Sequence, residues 1–299
     1  MKMVRHYLSL LIDLIKFRLS IFVTLSAATG FLLAQQGISG KMLLMLTGVF
    51  LLASGGSALN QYQERVHDQW MDRTKSRPIP SKRLSPVTAL FLSFSLILSG
   101  ALILFFGTNR LAFGLGVFAL FWYHLIYTPL KRKTPFAVVP GALIGAIPPM
   151  IGWVSGGGHL FDSRLLVISF LFYIWQVPHF WILHFHFGRD YEKGGFPALT
   201  RIFTQPEFNR ILFIWVFAIG VASFITPWFG VLKSPLIIGG LFGIGGWLLW
   251  KALRFLIAGY QKPYELSLFK SLNIYILLVM VCFLLDRLTL DHIHSFLFR

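Results

Sequence analysis

Three oxygen-bearing side chains, Asn60, Glu64 and Asp68, follow one another at intervals of four residues. In an α-helix, each such step drifts by only about 40° and rises about 6 Å, so the three side chains line one face. Stacked carboxylates repel each other unless a cation lies between them. Because ligands that are all oxygen favour a hard divalent cation, the row predicts a Mg²⁺ site. A solvated helix end with charges spaced by four is the alternative interpretation.

Basic side chains follow this row directly, at Arg73, Lys75 and Arg77. Guanidinium and ammonium groups are the side chains that bind phosphate. A second cluster of similar composition surrounds Asp190, with a glycine pair after it that permits close backbone approach. We expect Asp190 to be a further oxygen ligand, and the two clusters to face one Mg²⁺-diphosphate.

The amino-acid composition excludes several classes of protein. Of the 299 residues, 56% are hydrophobic and 13% charged, and the mean hydropathy is +0.70. A soluble domain has about 25% charged residues, so an ordinary soluble enzyme and a disordered chain are both excluded. The single cysteine, Cys282, excludes a disulfide scaffold. A net charge of +16 would suit nucleic acid, but the chain is too apolar for that, and we expect no nucleic-acid partner.

Charge-free apolar runs predict the elements that position the clusters. A membrane-spanning helix needs about 20 apolar residues, and nine runs approach or exceed that length. They cover residues 19–40, 42–63, 84–109, 111–130, 134–161, 165–188, 211–232, 234–250 and 271–285. The sequence therefore predicts an all-α, polytopic membrane protein: one domain over residues 1–299, a bundle of about nine transmembrane helices.

The distribution of basic residues predicts the orientation. Of the 27 Lys and Arg residues, 21 fall on the side of the N-terminus if the nine runs all span the membrane. The positive-inside rule then predicts a cytoplasmic N-terminus, with both acidic-basic clusters at the cytoplasmic face. The basic residues ahead of the first run, including Lys16 and Arg18, are expected to bind anionic groups, either lipid head groups or the carboxylates of a ligand. His124 is expected to pack within the fourth helix.

The chain resembles the UbiA-type intramembrane prenyltransferases, and within them the branch that acts on heme. The first family motif, Asn-x3-Asp-x3-Asp and then Met-x-Arg-Thr-x-x-Arg-Pro, maps onto Asn60, Glu64, Asp68, Met71, Arg73, Thr74, Arg77 and Pro78. Glu64 stands where the family usually has Asp, a change that keeps the charge and lengthens the reach. The heme-branch motif, Trp-Gln-x-Pro-His-Phe and then Asp-Tyr-x-x-Ala-Gly-x-Pro, is matched by Trp175, Gln176, Pro178, His179, Phe180, Asp190, Tyr191, Gly195 and Pro197. The resemblance is strongest over residues 60–200.

This resemblance implies a reaction in which the farnesyl group of farnesyl diphosphate is transferred to a vinyl group of heme b. Water then adds, and the products are heme O and diphosphate. The implied Mg²⁺ ligands, also the catalytic residues, are Asn60, Glu64, Asp68 and Asp190. The implied diphosphate-binding residues are Arg73, Lys75, Arg77, Lys131 and Arg132. The implied residues on the acceptor side are Trp175, Gln176 and His179.

The resemblance also implies an enzyme of the bacterial cytoplasmic (inner) membrane, surrounded by lipid, with a heme A synthase or a terminal oxidase as assembly partner. Two other functions remain open. A sibling enzyme that prenylates an aromatic quinone precursor would share the Mg²⁺-diphosphate half, but the motif around His179 argues against it. A polytopic transporter would not explain acidic and basic clusters that crowd at one face of the membrane.

Overall fold

The protein is a helical bundle, and the computed structural model describes residues 2–35, 37–257 and 262–297. At the helical positions 2–4, 6, 262–264 and 288–297 only the backbone is described. The described residues contain no β-strand. Their α-helices are α1 (Lys2–Leu14), α2 (Phe17–Ala34), α3 (Gly40–Asp68), α4 (Pro86–Gly107), α5 (Arg110–Phe121), α6 (Thr128–Leu130), α7 (Val138–Gly141), α8 (Leu143–Ser155), α9 (Ser163–His186), α10 (Gly188–Lys193), α11 (Gln205–Ile225), α12 (Pro235–Ile257) and α13 (Lys262–Leu297).

Nine segments within the described residues are long and apolar enough to cross a membrane. They are Phe17–Ala34, Gly40–Asp68, Pro86–Gly107, Arg110–Leu130, Pro135–Ser155, Ser163–His186, Gln205–Phe229, Pro235–Ile257 and Glu265–Arg287. The predicted all-α membrane bundle is therefore confirmed. The predicted cytoplasmic side of the N-terminus stays a prediction.

The loops at 69–85, 131–134 and 187–204 meet at one end of the bundle, which we call the mouth. A hydrogen bond of 2.7 Å from the backbone N–H of Asp72 to the carboxylate of Asp190 joins the first loop to the third. At the opposite end, Asn109 Nδ2 donates to the carbonyl oxygen of Val154 at 2.8 Å. Both acidic-basic clusters predicted from the sequence lie at the mouth.

Short polar side chains begin the long helices. The side chains of Ser39, Ser85, Asn109 and Asp162 each accept a hydrogen bond from a backbone N–H in the first turn of α3, α4, α5 and α9. These N–H groups have no partner within the helix, and in a membrane-exposed turn they would be costly to leave unpaired. The sequence thus determines where these helices begin.

Small residues hold α2 against α8 with the two backbones in contact. A Cβ atom added at Gly152 would overlap the carbonyl oxygen of Ala27, and one added at Gly30 would overlap that of Pro149. Lipid tails are as apolar as leucine side chains, so membrane helices associate through such close packing more than through hydrophobicity. The α2–α8 contact orients the two helices that pass beneath the mouth.

The fourth spanning segment is not a regular α-helix. Between α5 and α6, the residues Trp122–Tyr127 form a π-helical turn. A π-turn inserts extra backbone into the helix and rotates the side chains that follow, and such turns are frequent at functional sites. Here only the short helix α6 separates the π-turn from the basic loop that begins at Lys131.

We predict that Gly152→Ala destabilises the bundle, because a methyl group at this position forces the backbones of α2 and α8 apart. The expected cost is about 1–3 kcal/mol, the range for overpacked cores. The midpoint of thermal unfolding of the purified protein in detergent measures it.

Gly243→Ala in α12 is the matched control, because nothing lies within 4 Å of a Cβ atom at that position. It should leave the midpoint unchanged or raise it, since alanine favours helix over glycine. Equal midpoints for the two variants would contradict the close contact of α2 with α8.

Candidate active site

The row predicted from the spacing lies buried at the end of α3. Asn60, Glu64 and Asp68 are 2%, 5% and 0% exposed, and we call them the oxygen row. The helix ends at Asp68, so Asp72 does not continue the row but lies exposed in the next loop. Buried carboxylates carry a large desolvation cost and persist only with partners. The alternative of a solvated helix end is therefore excluded.

Each side chain of the oxygen row contacts one basic group, and the three basic groups come from three distant parts of the chain. The pairs are Lys16 Nζ with Asn60 Oδ1 at 3.2 Å, Arg77 Nη1 with Asp68 Oδ2 at 2.7 Å, and Lys131 Nζ with Glu64 Oε1. We call Lys16, Arg77 and Lys131 the inner cations. The structure therefore brings three basic groups against the oxygen row at the mouth of an apolar bundle.

Lys16 is the site residue that the sequence interpretation missed. It occupies the turn between α1 and α2 in the left-handed conformation, with φ of 47°. Gln61 Nε2 holds this turn by donating to the carbonyl oxygens of Asp13 and Leu14 at 2.8 and 2.9 Å. Burial and the neighbouring Arg77 lower the pKa of Lys16 to about 7. Its hydrogen bond to Asn60 Oδ1 directs the ammonium group at the oxygen row, rather than at the lipid head groups or ligand carboxylates expected from its sequence position.

The five residues predicted to bind diphosphate lie at two depths. Arg77 and Lys131 belong to the inner cations, and their side chains are 23% and 19% exposed. Arg73, Lys75 and Arg132 are exposed at the mouth. The structure therefore brings two of the five against the oxygen row and leaves three at its rim.

Two of these outer cations are fixed by contacts within the loops. The guanidinium of Arg73 lies 5.2 Å from the ring centroid of Phe187 and 5.7 Å from that of Tyr191. Lys75 pairs with Asp72 at 2.6 Å. Hydrogen bonds from Lys193 and Lys75 lower the pKa of Asp72 to about 2. Asp72 thus serves as a counter-ion between the loops.

Asp190 lies apart from the oxygen row. Its Oδ1 accepts the backbone N–H of Asp72 at 2.7 Å, and its Oδ2 accepts that of Arg73 at 3.0 Å. Among the described residues, no three His, Cys, Asp or Glu side chains gather closely enough to hold a metal ion. The structure therefore does not bring Asp190 together with Glu64 and Asp68. Asp190 instead connects the loop at 187–204 to the loop at 69–85.

The oxygen row itself has the chemistry of a magnesium site. Asp68 Oδ1 is buried, and no hydrogen-bond donor among the described residues reaches it. A buried acceptor without a partner costs about 1–3 kcal/mol. Because Asn60 and Glu64 offer further oxygens on the same helix face, a hard cation fits the donor set. The three residues predicted on α3 thus fit Mg²⁺, and Asp190 does not join them in this conformation.

The π-helical turn contributes polar groups beside the oxygen row. His124 Nδ1 and Gln63 Oε1 lie 2.8 Å apart, and Asn60 Nδ2 donates to Thr128 Oγ1 at 3.5 Å. His124 Nε2 is buried, and no partner for it lies among the described residues. The sequence interpretation gave His124 only a packing role. Its actual position depends on the π-turn, which residue periodicity does not reveal.

The three residues predicted on the acceptor side face two different helices. Trp175 Nε1 donates to the carbonyl oxygen of Leu272 in α13 at 2.9 Å. The ring of His179 lies 4.8 Å from the centroids of both Trp175 and Phe269. Gln176 points instead at α8, where a Cβ atom added to Gly145 would overlap its Oε1. Trp175 and His179 therefore form one contact surface, and Gln176 lies on another.

Several polar side-chain atoms in the second half of α9 have no hydrogen-bond partner among the described residues. Gln176 Oε1, His179 Nδ1, Trp181 Nε1 and His184 Nδ1 are all buried, with no hydrogen-bond partner among the described residues. Native proteins leave few such atoms, and each one calls for an explanation. All four atoms lie on α9, the helix that carries the motif predicted for the acceptor side.

We predict that Asp190→Ala loosens the loop at 69–85, because two of its backbone N–H groups lose their acceptor. Limited trypsin digestion of the purified protein should cut after Arg73 and Lys75 several times faster than in the wild type. Asp162→Ala is the control, since Asp162 also accepts a backbone N–H, at the far end of the bundle. Unchanged cleavage after Arg73 and Lys75 in Asp190→Ala would show that Asp190 does not hold this loop.

Comparison with known proteins places this geometry in a family. The model of the UbiA prenyltransferase family matches residues 22–284. A protoheme IX farnesyltransferase of Geobacter sulfurreducens is 36% identical over 269 residues, which cover 87% of this chain and 94% of the relative. One from Oleidesulfovibrio alaskensis is 30% identical over 283 residues, covering 92% of this chain and 95% of the relative. The predicted resemblance to the heme-directed branch is confirmed.

Solved structures share the fold at low sequence identity. A structure of digeranylgeranylglyceryl phosphate synthase matches with a TM-score of 0.75 at 16% identity, covering 94% of this chain and 99% of the other. A UbiA homolog from Archaeoglobus fulgidus, bound to GPP and Mg²⁺, matches with a TM-score of 0.61 at 10% identity, covering 92% and 99%. The fold, the buried oxygen row and the extent of the family match lead to one conclusion: the chain belongs to the UbiA prenyltransferase family.

Proposed function

We propose that this chain transfers the farnesyl group of farnesyl diphosphate to a vinyl group of heme b, giving heme O. The C1–O bond of farnesyl diphosphate breaks and its electron pair leaves with diphosphate. The vinyl group bonds to the allylic cation, water adds to the resulting cation, and a proton is released. The observation that carries the proposal is the buried oxygen row with its inner cations, in a chain whose relatives are named protoheme IX farnesyltransferases.

The inner cations are the groups that stabilise the leaving diphosphate. Without substrate, Arg77 and Lys131 neutralise the two carboxylates of the oxygen row and Lys16 donates to the amide oxygen of Asn60, so these basic groups are already in place before the reaction. Once the oxygen row has a metal partner, these cations can donate to phosphate oxygens instead. Fixed charges aimed at a developing anion are usually the largest catalytic contribution. Arg73 and Lys75 would add to the clamp from the rim.

The oxygen row would hold Mg²⁺, which neutralises part of the diphosphate charge as the bond breaks. The unpartnered Oδ1 of Asp68 and the Mg²⁺-bound homolog from Archaeoglobus fulgidus support this assignment. For Asp190, we assign the positioning of the loop that carries Arg73 and Lys75. A direct role of Asp190 as metal ligand requires its two bonds to backbone N–H groups to open first.

The acceptor would lie beside α9. Trp175 and His179 present an aromatic surface toward α13, and Gln176 offers an amide toward α8. The unpartnered polar atoms on this helix are available to a porphyrin or its iron. The surrounding apolar core keeps water away from the allylic cation until the new bond has formed.

The proposal includes a location. With the mouth on the cytoplasmic side of a bacterial inner membrane, the positive-inside rule is satisfied, and both substrates enter from the cytoplasm or the inner leaflet. Anionic lipid would surround the basic loops. An enzyme that oxidises heme O, or a terminal oxidase that incorporates it, would consume the product, and direct assembly with either is part of the proposal.

We predict that membranes of a host without its own enzyme accumulate heme O when they contain this chain. Extracted hemes analysed by mass should show heme b plus one hydroxyethylfarnesyl group. Membranes with an empty vector are the control. A chain that is verified in the membrane, with both substrates supplied and no heme species beyond heme b, would contradict the proposed function.

We predict that Asp68→Asn lowers kcat at least about 100-fold, the range for loss of one transition-state charge contact. Asparagine keeps the size and can still accept from Arg77, so the loop stays in place while the metal loses an anionic ligand. Steady-state turnover of the purified protein measures this.

Asp72→Asn is the matched control, because Asp72 lies in the same motif but is exposed outside the oxygen row. It should keep turnover within about threefold of the wild type, since exposed ion pairs contribute little. Near-normal turnover in Asp68→Asn would remove Asp68 from the metal site.

A further inference from the structure

A cleft at the mouth is lined by groups that neither the oxygen row nor the inner cations use. It has a volume of about 460 Å³ and lies between the loop at 131–134 and the loop at 187–204. Its lining combines Arg132, Lys133, Arg201, Glu192, Phe196 and Ile202. Ligand pockets typically measure about 300–1,000 Å³, so the cleft can receive part of a ligand the size of a porphyrin.

The charge of the cleft is positive and largely uncommitted. Arg201 pairs with Glu192 at 2.8 Å, which leaves the net charge of the lining at two positive charges. Arg132 Nη2 donates to the carbonyl oxygen of Gln63 at 3.0 Å, and the side chain is exposed. The side chain of Lys133 makes no hydrogen bond or ion pair with the described residues. Two carboxylates would match this charge.

The lining of the cleft contacts the end of α3 that carries the oxygen row. The ring of Phe196, in its floor, lies 5.0 Å from that of His67, the residue before Asp68. Lys131, next to Arg132 in the chain, is the inner cation paired with Glu64. A rigid ligand in the cleft can therefore extend one edge toward the leaving diphosphate.

We propose that this cleft binds the two propionate carboxylates of the heme acceptor and so directs its vinyl edge into the site; this inference rests on the proposed function. In heme b the propionates and the vinyl groups lie on opposite sides of the macrocycle. Holding the propionates outside the apolar bundle places the vinyl groups inside it. The apolar floor at Phe196 and Ile202 suits the flat face of the ring, and the basic rim suits its carboxylates. Arg132 then serves the acceptor rather than the diphosphate.

The test compares Lys133→Gln and Arg201→Gln with the wild type in steady-state assays, in which heme b and farnesyl diphosphate are varied separately. Each variant should raise KM for heme b about tenfold, and leave KM for farnesyl diphosphate and kcat at saturating heme unchanged. Arg110→Gln is the matched control, because it removes the same charge from an exposed position at the far end of the bundle. It should change none of these constants.

Heme b dimethyl ester, whose propionates carry no charge, completes the design. The wild type should show a raised KM for the ester, and the two variants should show no further increase with it. A variant that raises KM for the ester as strongly as for heme b would overturn the assignment, as would a raised KM for farnesyl diphosphate.

The remaining outcomes distinguish a failure of the cleft proposal from a failure of the proposed function, and heme binding in the cleft from lipid binding. If the wild type makes heme O but neither variant alters KM for heme b, the cleft proposal is wrong while the proposed function stands. If the wild type makes no heme O, the proposed function fails first. An effect that is present in nanodiscs with phosphatidylglycerol but absent in pure phosphatidylcholine would assign the cleft to a lipid head group.

Discussion

The pairing of two buried carboxylates with basic side chains is the interaction on which the rest of the site depends. Glu64 and Asp68 lie inside an apolar bundle, where an unpaired charge would be strongly destabilising. Their partners come from elsewhere in the chain: Arg77, in the loop after α3, pairs with Asp68, and Lys131, at the end of α6, pairs with Glu64. Lys16, in the turn before α2, donates to the neighbouring Asn60. The architecture at the mouth follows from bringing these groups together.

The sequence predicted the fold well because membrane crossing imposes a simple requirement. A membrane-spanning helix must pair its own backbone polar groups by hydrogen bonds over about 20 residues. Charge-free runs of that length can be recognised in the sequence alone. Small irregularities escaped prediction. The π-turn at Trp122–Tyr127 and the backbone contact at Gly152 depend on how neighbouring helices pack, and no residue periodicity records that.

The sequence predicts the part of the candidate site that lies within one helix. It does not predict the parts that depend on the backbone conformation of residues far away in the chain. The spacing of Asn60, Glu64 and Asp68 defines one helix face, so the oxygen row could be predicted from the sequence alone. Lys16 reaches the row only because its turn adopts a left-handed conformation, which lysine seldom does. Asp190 has the chemistry of a metal ligand, yet its oxygens accept backbone N–H groups of another loop. Composition cannot distinguish those two uses of a carboxylate.

The proposed mechanism requires the oxygen row to exchange its basic partners for a metal when diphosphate binds. The most direct measurement is calorimetric titration of farnesyl thiodiphosphate, which resists cleavage, into the purified protein with Mg²⁺ or with a chelator. Removing Mg²⁺ should weaken binding at least about 100-fold, or about 2.7 kcal/mol. Equal affinity in Mg²⁺ and in chelator would contradict it, because the inner cations alone would then suffice to hold the diphosphate.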